Sequence, residues 1–156
     1  MTESHTTKYF AYGSNMAPEV MASACAHSRL LGRARLNGYR FAFNRRSVRT
    51  GTGVANIIVD PSSSVWGVVY EITDECLAVL DQKEGYPWAY DRKDVEVELD
   101  DSTTCCALTY VVSHPEAEDV APSHAYIGGI VAAASAHGFP RAYVDSLRAL
   151  VPAGSG

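Results

Sequence analysis

The sequence lacks the features that mark membrane, secreted and nucleic-acid-binding proteins. Its longest run of apolar and Gly/Ser residues, 126–137, is too short and too rich in glycine and alanine to cross a bilayer. The first residues show no basic-then-apolar signal pattern, so we expect a cytoplasmic protein that does not associate with membranes. The net charge of −5 argues against nucleic acid as the main partner.

Cysteine and histidine are also sparse, and their spacing fits no metal or redox motif. The four cysteines include no CxxC pair, and the five histidines form no HExxH motif or comparable spacing. We therefore expect no metal and no cofactor. We also expect all four cysteines to be reduced thiols: Cys25, Cys76, Cys105 and Cys106.

What is present suits a single small domain. Hydrophobic residues make up 47% of the 156, which is near the globular average and excludes intrinsic disorder. A chain of about 150 residues buries roughly two-thirds of its unfolded surface, so it needs neither disulfides nor metal to fold. We predict one domain over residues 1–156, with 1–7 and 152–156 as loose tails.

The hydrophobic pattern predicts many short strands and a few helices. A helix starts at Pro18, another is capped by Thr73 and closed by Gly85, and two more occupy the last third of the chain. Asn37-Gly38 and Asp60-Pro61 are typical of turns between separate strands. The predicted fold is α+β: a small, mainly antiparallel β-barrel flanked by helices. The strand segments are 8–12, 29–36, 39–44, 53–59, 64–72, 95–99 and 105–112.

Glu84 is a carboxylate on what should be an apolar helix face. At about 100° per residue it lies nearly in line with Leu77 and Leu80. It also falls in the last helical turn, where the helix dipole disfavours negative charge. Burial and dipole would both raise its pKa toward the range useful for proton transfer. The alternative is that the helix ends before Glu84, which would then be an ordinary surface residue.

The segment 12–15 (Tyr12, Gly13, Ser14 and Asn15) joins a predicted strand to a predicted helix, and we call it the 12–15 loop. Such a loop exposes consecutive backbone N–H groups, which suit a carboxylate or an oxyanion. It has neither the glycine pattern of a nucleotide site nor the GxSxG turn of a hydrolase. An ordinary tight turn explains the same residues.

Basic residues are concentrated in one region, since seven of the thirteen lysines and arginines lie between Arg29 and Arg49. They alternate with Tyr39, Phe41 and Phe43, a pattern that could form a nucleic-acid surface. Solvent-facing positions on strands explain the alternation equally well. We therefore expect no nucleic-acid partner.

Three segments resemble the γ-glutamylcyclotransferase family: 9–16 (YFAYGSNM), 65–71 (VWGVVYE) and 80–86 (LDQKEGY). The resemblance implies a small β-barrel with helices and an enzyme that converts the γ-glutamyl group of an amide to 5-oxoproline, freeing the amine. It implies that Glu84 is catalytic and that the 12–15 loop binds the glutamyl moiety. Tyr110 matches a tyrosine that lines the same cavity. A non-catalytic module that binds a γ-glutamyl or similar ligand is the alternative.

The resemblance reduces the number of candidate substrates but leaves several open. The glutathione-specific branch usually has leucine where this chain has Asn15, which disfavours glutathione. The remaining small-molecule substrates are γ-glutamyl amino acids, γ-glutamyl amines and γ-glutamyl-protected intermediates of antibiotic biosynthesis. The aromatic segment 86–90, with Asp91 and Asp94 nearby, favours a large or cationic amine at the mouth of the site. We expect a monomer or a homodimer.

Overall fold

Five strands close into a barrel in the computed structural model, which describes residues 5–152. Their order around the barrel is β1-β3-β2-β4-β5, and every neighbouring pair is antiparallel except β1 with β5. The parallel pair closes the barrel through Tyr9 and Leu108. The predicted α+β barrel is therefore confirmed. The strands are β1 (Thr6–Ala11), β2 (Arg29–Arg46), β3 (Gly53–Thr73), β4 (Tyr90–Leu99) and β5 (Thr104–Val112).

Two of the predicted turns are wrong, because β2 and β3 are long strands that run on through them. The pairing passes from Asn37 with Ser64 to Tyr39 with Val59, so residues 60–63 bulge out opposite Gly38. Gly38 has a φ of +85°, which explains a glycine there. The turn-forming residues therefore bend one continuous ladder and do not end it.

Four helices lie outside the barrel: α1 (Pro18–Ala24), α2 (Asp74–Glu84), α3 (His124–Ala136) and α4 (Arg141–Arg148). The predicted ends of α2 are confirmed. The Thr73 hydroxyl accepts a hydrogen bond from the Cys76 amide at 3.2 Å, and Gly85 ends the helix in the left-handed conformation. The capping places Glu84 in the last turn of α2, next to the 12–15 loop of the chain.

The core lies between the barrel and the helices, and it includes the end of β1. Phe10 is fully buried, as are Leu80 of α2 and Ile127 of α3. Gly67 of β3 allows a close approach of β1, because a Cβ there would come within 2.4 Å of the Ala11 carbonyl oxygen. This packing holds the end of β1, and hence the 12–15 loop, in a fixed position against β3.

The prediction that all four cysteines are reduced is wrong for one pair. Cys25, just after α1, and Cys76, in the first turn of α2, form a disulfide with their Cα atoms 5.2 Å apart. The two residues are 51 positions apart in the sequence, and only the packing of α1 beside α2 brings them together. Disulfides persist mainly in oxidising compartments, so the cytoplasmic location expected above stays a prediction.

The N-terminal tail is shorter than predicted, because Thr6 and Thr7 already pair with β3. Residues 1–4 and 153–156 of the predicted tails lie outside the described residues. No helix within residues 5–152 has the length and apolar character that a membrane span requires.

Candidate active site

A narrow cavity of about 50 Å³, the inner cavity, lies between the 12–15 loop, the end of α2, the start of α3 and the barrel strands. All six residues singled out in the sequence line it, although they span 98 positions of the chain. The structure therefore brings the whole predicted set together. The lining consists of Tyr9, Tyr12, Gly13, Ser14, Asn15, Ala55, Glu84, Tyr90, Thr109, Tyr110 and Tyr126.

Glu84 provides the one carboxylate among the residues that line this cavity. It is partly buried, and within residues 5–152 its carboxylate makes no hydrogen bond or ion pair. Burial raises the pKa of Glu84, while the positive charges of Lys83 and Arg45 oppose that rise. The side chain thus faces the cavity and not bulk solvent, as its place on the helix predicts. A carboxyl group of this kind can both accept and return a proton.

Asn15 fastens the 12–15 loop to its surroundings. Its side chain is buried, donates a hydrogen bond to the Tyr9 hydroxyl at 2.9 Å and accepts one from the Lys83 ammonium at 2.5 Å. The Tyr70 hydroxyl donates to its backbone carbonyl at 2.9 Å. Because Lys83 precedes Glu84 in α2, these contacts fix the loop relative to the carboxylate.

The backbone of the same loop has unused donors. The N–H groups of Gly13, Ser14 and Asn15 have no hydrogen-bond acceptor in the part of the chain that the structure describes. All three residues line the inner cavity. The loop therefore offers N–H groups to a ligand while its Tyr12 and Asn15 side chains are hydrogen-bonded to the protein.

Five of the eleven residues that line the cavity are tyrosines, and three of them, Tyr9, Tyr90 and Tyr126, were not among the predicted site residues. The Tyr90 hydroxyl donates to the Ala55 carbonyl at 2.6 Å, and the Tyr126 hydroxyl accepts from the Ala55 amide at 3.1 Å. Burial raises the pKa of Tyr126 to about 12 and that of Tyr9 and Tyr90 further still. The phenols are therefore neutral. Sequence spacing gave no signal for them because they come from β1, β4 and α3.

Tyr110 faces the cavity with its ring, but its hydroxyl is used elsewhere. That hydroxyl donates to the Asp81 carboxylate at 2.7 Å, and its backbone carbonyl accepts from the Tyr12 hydroxyl at 2.5 Å. The Arg92 guanidinium binds both oxygens of Asp81. Asp81 and Glu84 therefore lie one turn apart on α2 in opposite situations, the first fully paired and the second unpaired.

A wider depression of about 610 Å³ continues outward from the inner cavity, and we call it the vestibule. The two spaces share Ser14, Glu84, Tyr90 and Tyr126. The outer wall of the vestibule is the segment 45–54, which includes the connection between β2 and β3. Its charged lining residues are Arg45, Arg49, Lys83 and Glu84.

The aromatic, acidic mouth expected from the sequence is not found. Of the segment 86–90, Ala89 and Tyr90 line the vestibule, whereas the Trp88 side chain is 81% exposed and does not. Asp91 and Asp94 are exposed on β4 and line neither space. Alternation along β4 turns Tyr90 inward and Asp91 to the opposite face, whereas Asp94 lies further along the strand, exposed and outside both spaces.

Comparison with known proteins shows which family the chain belongs to. A family model described as "Gamma-glutamyl cyclotransferase, AIG2-like" matches residues 9–127. The chain belongs to this family. The match includes the end of β1, the 12–15 loop, α2 and Tyr110, so every residue of the predicted site lies within it. The resemblance seen in the sequence is confirmed.

Relatives in mammals match along most of their length. The chain is 28% identical over 149 residues to human gamma-glutamylcyclotransferase, covering 92% of this chain and 78% of that protein. It is 27% identical over 155 residues to the mouse protein of the same name, covering 96% and 81%. These matches place the chain among cyclotransferase relatives over nearly its whole length.

Solved structures show the same fold. A structure titled gamma-glutamyl cyclotransferase superposes with a TM-score of 0.88 at 27% identity, covering 97% of this chain and 91% of that one. A glutathione-specific gamma-glutamyl cyclotransferase from yeast superposes with a TM-score of 0.68 over 96% of both chains. At 15% identity, the yeast protein is similar to this one in fold alone.

Proposed function

We propose that this protein cyclises the γ-glutamyl group of a γ-glutamyl amide to 5-oxoproline and releases the free amine, with Glu84 transferring the proton. The observation that carries the proposal is the unpaired carboxylate of Glu84 in a narrow cavity, opposite a loop with free N–H groups. Membership of the cyclotransferase family supports this chemistry.

The nucleophile in this reaction is the substrate's own α-amine. Its ordinary pKa of about 8 leaves it mostly protonated at neutral pH, so it must lose a proton before it can attack. A carboxylate whose pKa is raised by burial is a better base than an exposed glutamate. Glu84 is the acidic residue within reach of the inner cavity, and it takes this role.

Counted from the neutral α-amine, the reaction transfers one proton and consumes no water. The extra proton of the ammonium form passes to solvent before attack, and the released amine takes one up from solvent. The α-nitrogen bonds to the γ-carbonyl carbon and closes a five-membered ring, while Glu84 accepts the proton from that nitrogen. The bond from the same carbon to the amide nitrogen then breaks, and Glu84 returns the proton to the departing amine. Because both reacting groups belong to one molecule, the enzyme has only to select the folded conformer.

The 12–15 loop supplies the remaining interactions. Free N–H groups of Gly13, Ser14 and Asn15 are suited to the α-carboxylate of the substrate or to the oxyanion that forms on the γ-carbonyl oxygen. The hydrogen bonds of Asn15 to Tyr9 and Lys83 keep the donors in place before the substrate arrives. Such preorganised donors cost no rearrangement during the reaction.

The alternative of a non-catalytic binding module is less consistent with the site. An unpaired, partly buried carboxylate destabilises a fold, and binding a γ-glutamyl group already uses the backbone donors of the loop. Retaining Glu84 is easier to understand if it takes part in chemistry. Measurable ligand binding without any product would favour the alternative.

A substrate panel tests the proposal. The purified protein is incubated with γ-glutamyl amino acids, γ-glutamyl amines, a γ-glutamyl-protected aminoglycoside and glutathione, and 5-oxoproline and amine are measured by mass spectrometry. We expect the two products in equal amounts from at least one γ-glutamyl compound, and little from glutathione because Asn15 replaces the usual leucine. No 5-oxoproline from any member would refute the function.

A further inference from the structure

The vestibule contains two guanidinium groups that the fold does not use. Within residues 5–152, the side chains of Arg45 and Arg49 make no hydrogen bond and no ion pair, whereas the neighbouring Arg46 donates to the Gly51 carbonyl at 2.6 Å. The third basic group of the vestibule, Lys83, is bound to Asn15. Arg45 and Arg49 are therefore available to a ligand.

Arg45 lies where the two spaces of the site meet. Its guanidinium stacks over the ring of Tyr90 at 5.8 Å, and Tyr90 lines both the inner cavity and the vestibule. Arg45 is also near enough to Glu84 for its charge to act on that carboxylate. The vestibule is therefore positioned to receive the amine of a γ-glutamyl group bound in the inner cavity.

We propose that Arg45, assisted by Arg49, forms a subsite for a carboxylate on the leaving amine, so that γ-glutamyl amino acids are preferred over γ-glutamyl amines. This inference rests on the proposed function. Guanidinium groups bind carboxylates through paired hydrogen bonds, and an arginine stacked on an aromatic ring is already oriented for such binding. Hydroxyl groups of Ser47, Thr50 and Thr52 add further polar lining.

The charge of the vestibule excludes the opposite preference. Glu84, the proposed base, is the one acidic side chain that lines it, against three basic ones, so a cationic amine would meet mainly like charge. The sequence favoured a cationic leaving amine because of Asp91 and Asp94. We now expect a leaving amine that carries a carboxylate.

A matched pair of substrates tests the subsite. γ-Glutamyl-alanine and γ-glutamyl-ethylamine differ only by the carboxylate on the leaving amine. We expect wild-type kcat/KM to favour the alanine compound by about 10-fold or more, the range for hydrogen bonds to a charged group. The Arg45→Gln variant should lower this ratio about 10-fold, and Arg45→Lys, which keeps the charge but not the paired donors, should lower it less.

Using a ratio within each variant removes effects on folding and on Glu84, since both substrates experience them equally. The Arg40→Gln variant is the matched control, because Arg40 is exposed and paired with Asp60 away from the site. It should keep the wild-type ratio. A wild-type ratio near one, or a ratio that Arg45→Gln leaves unchanged, would overturn the proposal.

A binding arm separates this inference from the proposed function. Titration calorimetry on the Glu84→Gln variant measures both compounds without turnover, and we expect the alanine compound to bind at least several-fold more tightly. Equal binding would overturn the carboxylate subsite even if 5-oxoproline forms. A clear binding preference with no 5-oxoproline from any substrate would support the subsite and refute the enzyme.

Discussion

The inner cavity and the vestibule adjoin each other but are built differently. The inner cavity is lined by buried tyrosines whose hydroxyls are bonded to the protein, and it holds a single unpaired charge. The vestibule is formed by exposed and partly exposed residues around the connection between β2 and β3. Within residues 5–152 its arginines make no hydrogen bond or ion pair, although Arg45 stacks over Tyr90. Strands and helices surround the inner cavity, whereas a connecting loop at the surface borders the vestibule.

Under the proposed function, this difference separates chemistry from selectivity. The proposed reaction needs fixed donors and one acid–base group, which the 12–15 loop and α2 supply. The choice of leaving amine needs contacts that can vary without disturbing the barrel, and a connecting loop provides them. The predictions below test whether the two regions act as independently as this division implies.

The largest effect is expected for Glu84→Gln, which preserves shape and removes the proton acceptor. Activity should fall by about 10²–10⁴-fold, the usual contribution of a positioned acid–base group, while the fold persists. The rate of 5-oxoproline formation is the measurement. Glu75→Gln, an exposed change on the same helix, is the control and should retain activity. Full activity of Glu84→Gln would break the assignment of the base.

Asp81→Asn should affect stability more than chemistry, although it lies one turn from Glu84. The change removes the negative charge that binds Arg92 and accepts from Tyr110, so we expect a loss of about 1–3 kcal/mol in unfolding free energy. Urea denaturation followed by circular dichroism measures it. Asp94→Asn, an exposed change on β4, should cost much less, and equal losses would contradict the structural role of the Asp81 network.

A smaller effect concerns pH and the stability of Glu84→Gln. Because burial raises the pKa of Glu84, the folded protein binds more protons than the unfolded chain between the ordinary glutamate pKa and the raised one. Wild-type stability is therefore lost as pH rises through that window. The Tm of Glu84→Gln, minus that of wild type, should increase over the same window and then level off, as followed by differential scanning fluorimetry. A difference that falls with rising pH would mean the carboxylate is stabilised as the anion.

The smallest effect is expected for Trp88→Ala. This side chain is largely exposed and lines neither the inner cavity nor the vestibule, so stability should change by no more than about 0.5 kcal/mol. We expect kcat/KM to stay within about two-fold of wild type, as for other surface changes away from a site. A large rise in KM would mean that Trp88 contacts the substrate, as the sequence suggested, and that the vestibule extends to this side chain.

The sequence predicted correctly those features that depend only on neighbouring residues, such as the ends of helices. The ends of α2 follow from Thr73 and Gly85, whose capping chemistry involves only adjacent turns. Asn37-Gly38 and Asp60-Pro61 misled for the same reason: they mark bends, and only the cross-strand pairing shows that the ladder continues past them. The disulfide between Cys25 and Cys76 depends on the packing of two helices, and no spacing in the sequence indicates it.

The sequence by itself determined the barrel class, the family and the inward position of Glu84, because periodicity, capping residues and the 12–15 loop are properties of consecutive residues. The tertiary structure decided which side chains share the site. Tyr9, Tyr90 and Tyr126 meet Glu84 only when the barrel closes, and Arg45 reaches the exit only through the register of β2 against β3. Which charges lie near a site depends on how the strands pack, and the acidic residues Asp91 and Asp94 of β4 line neither the inner cavity nor the vestibule.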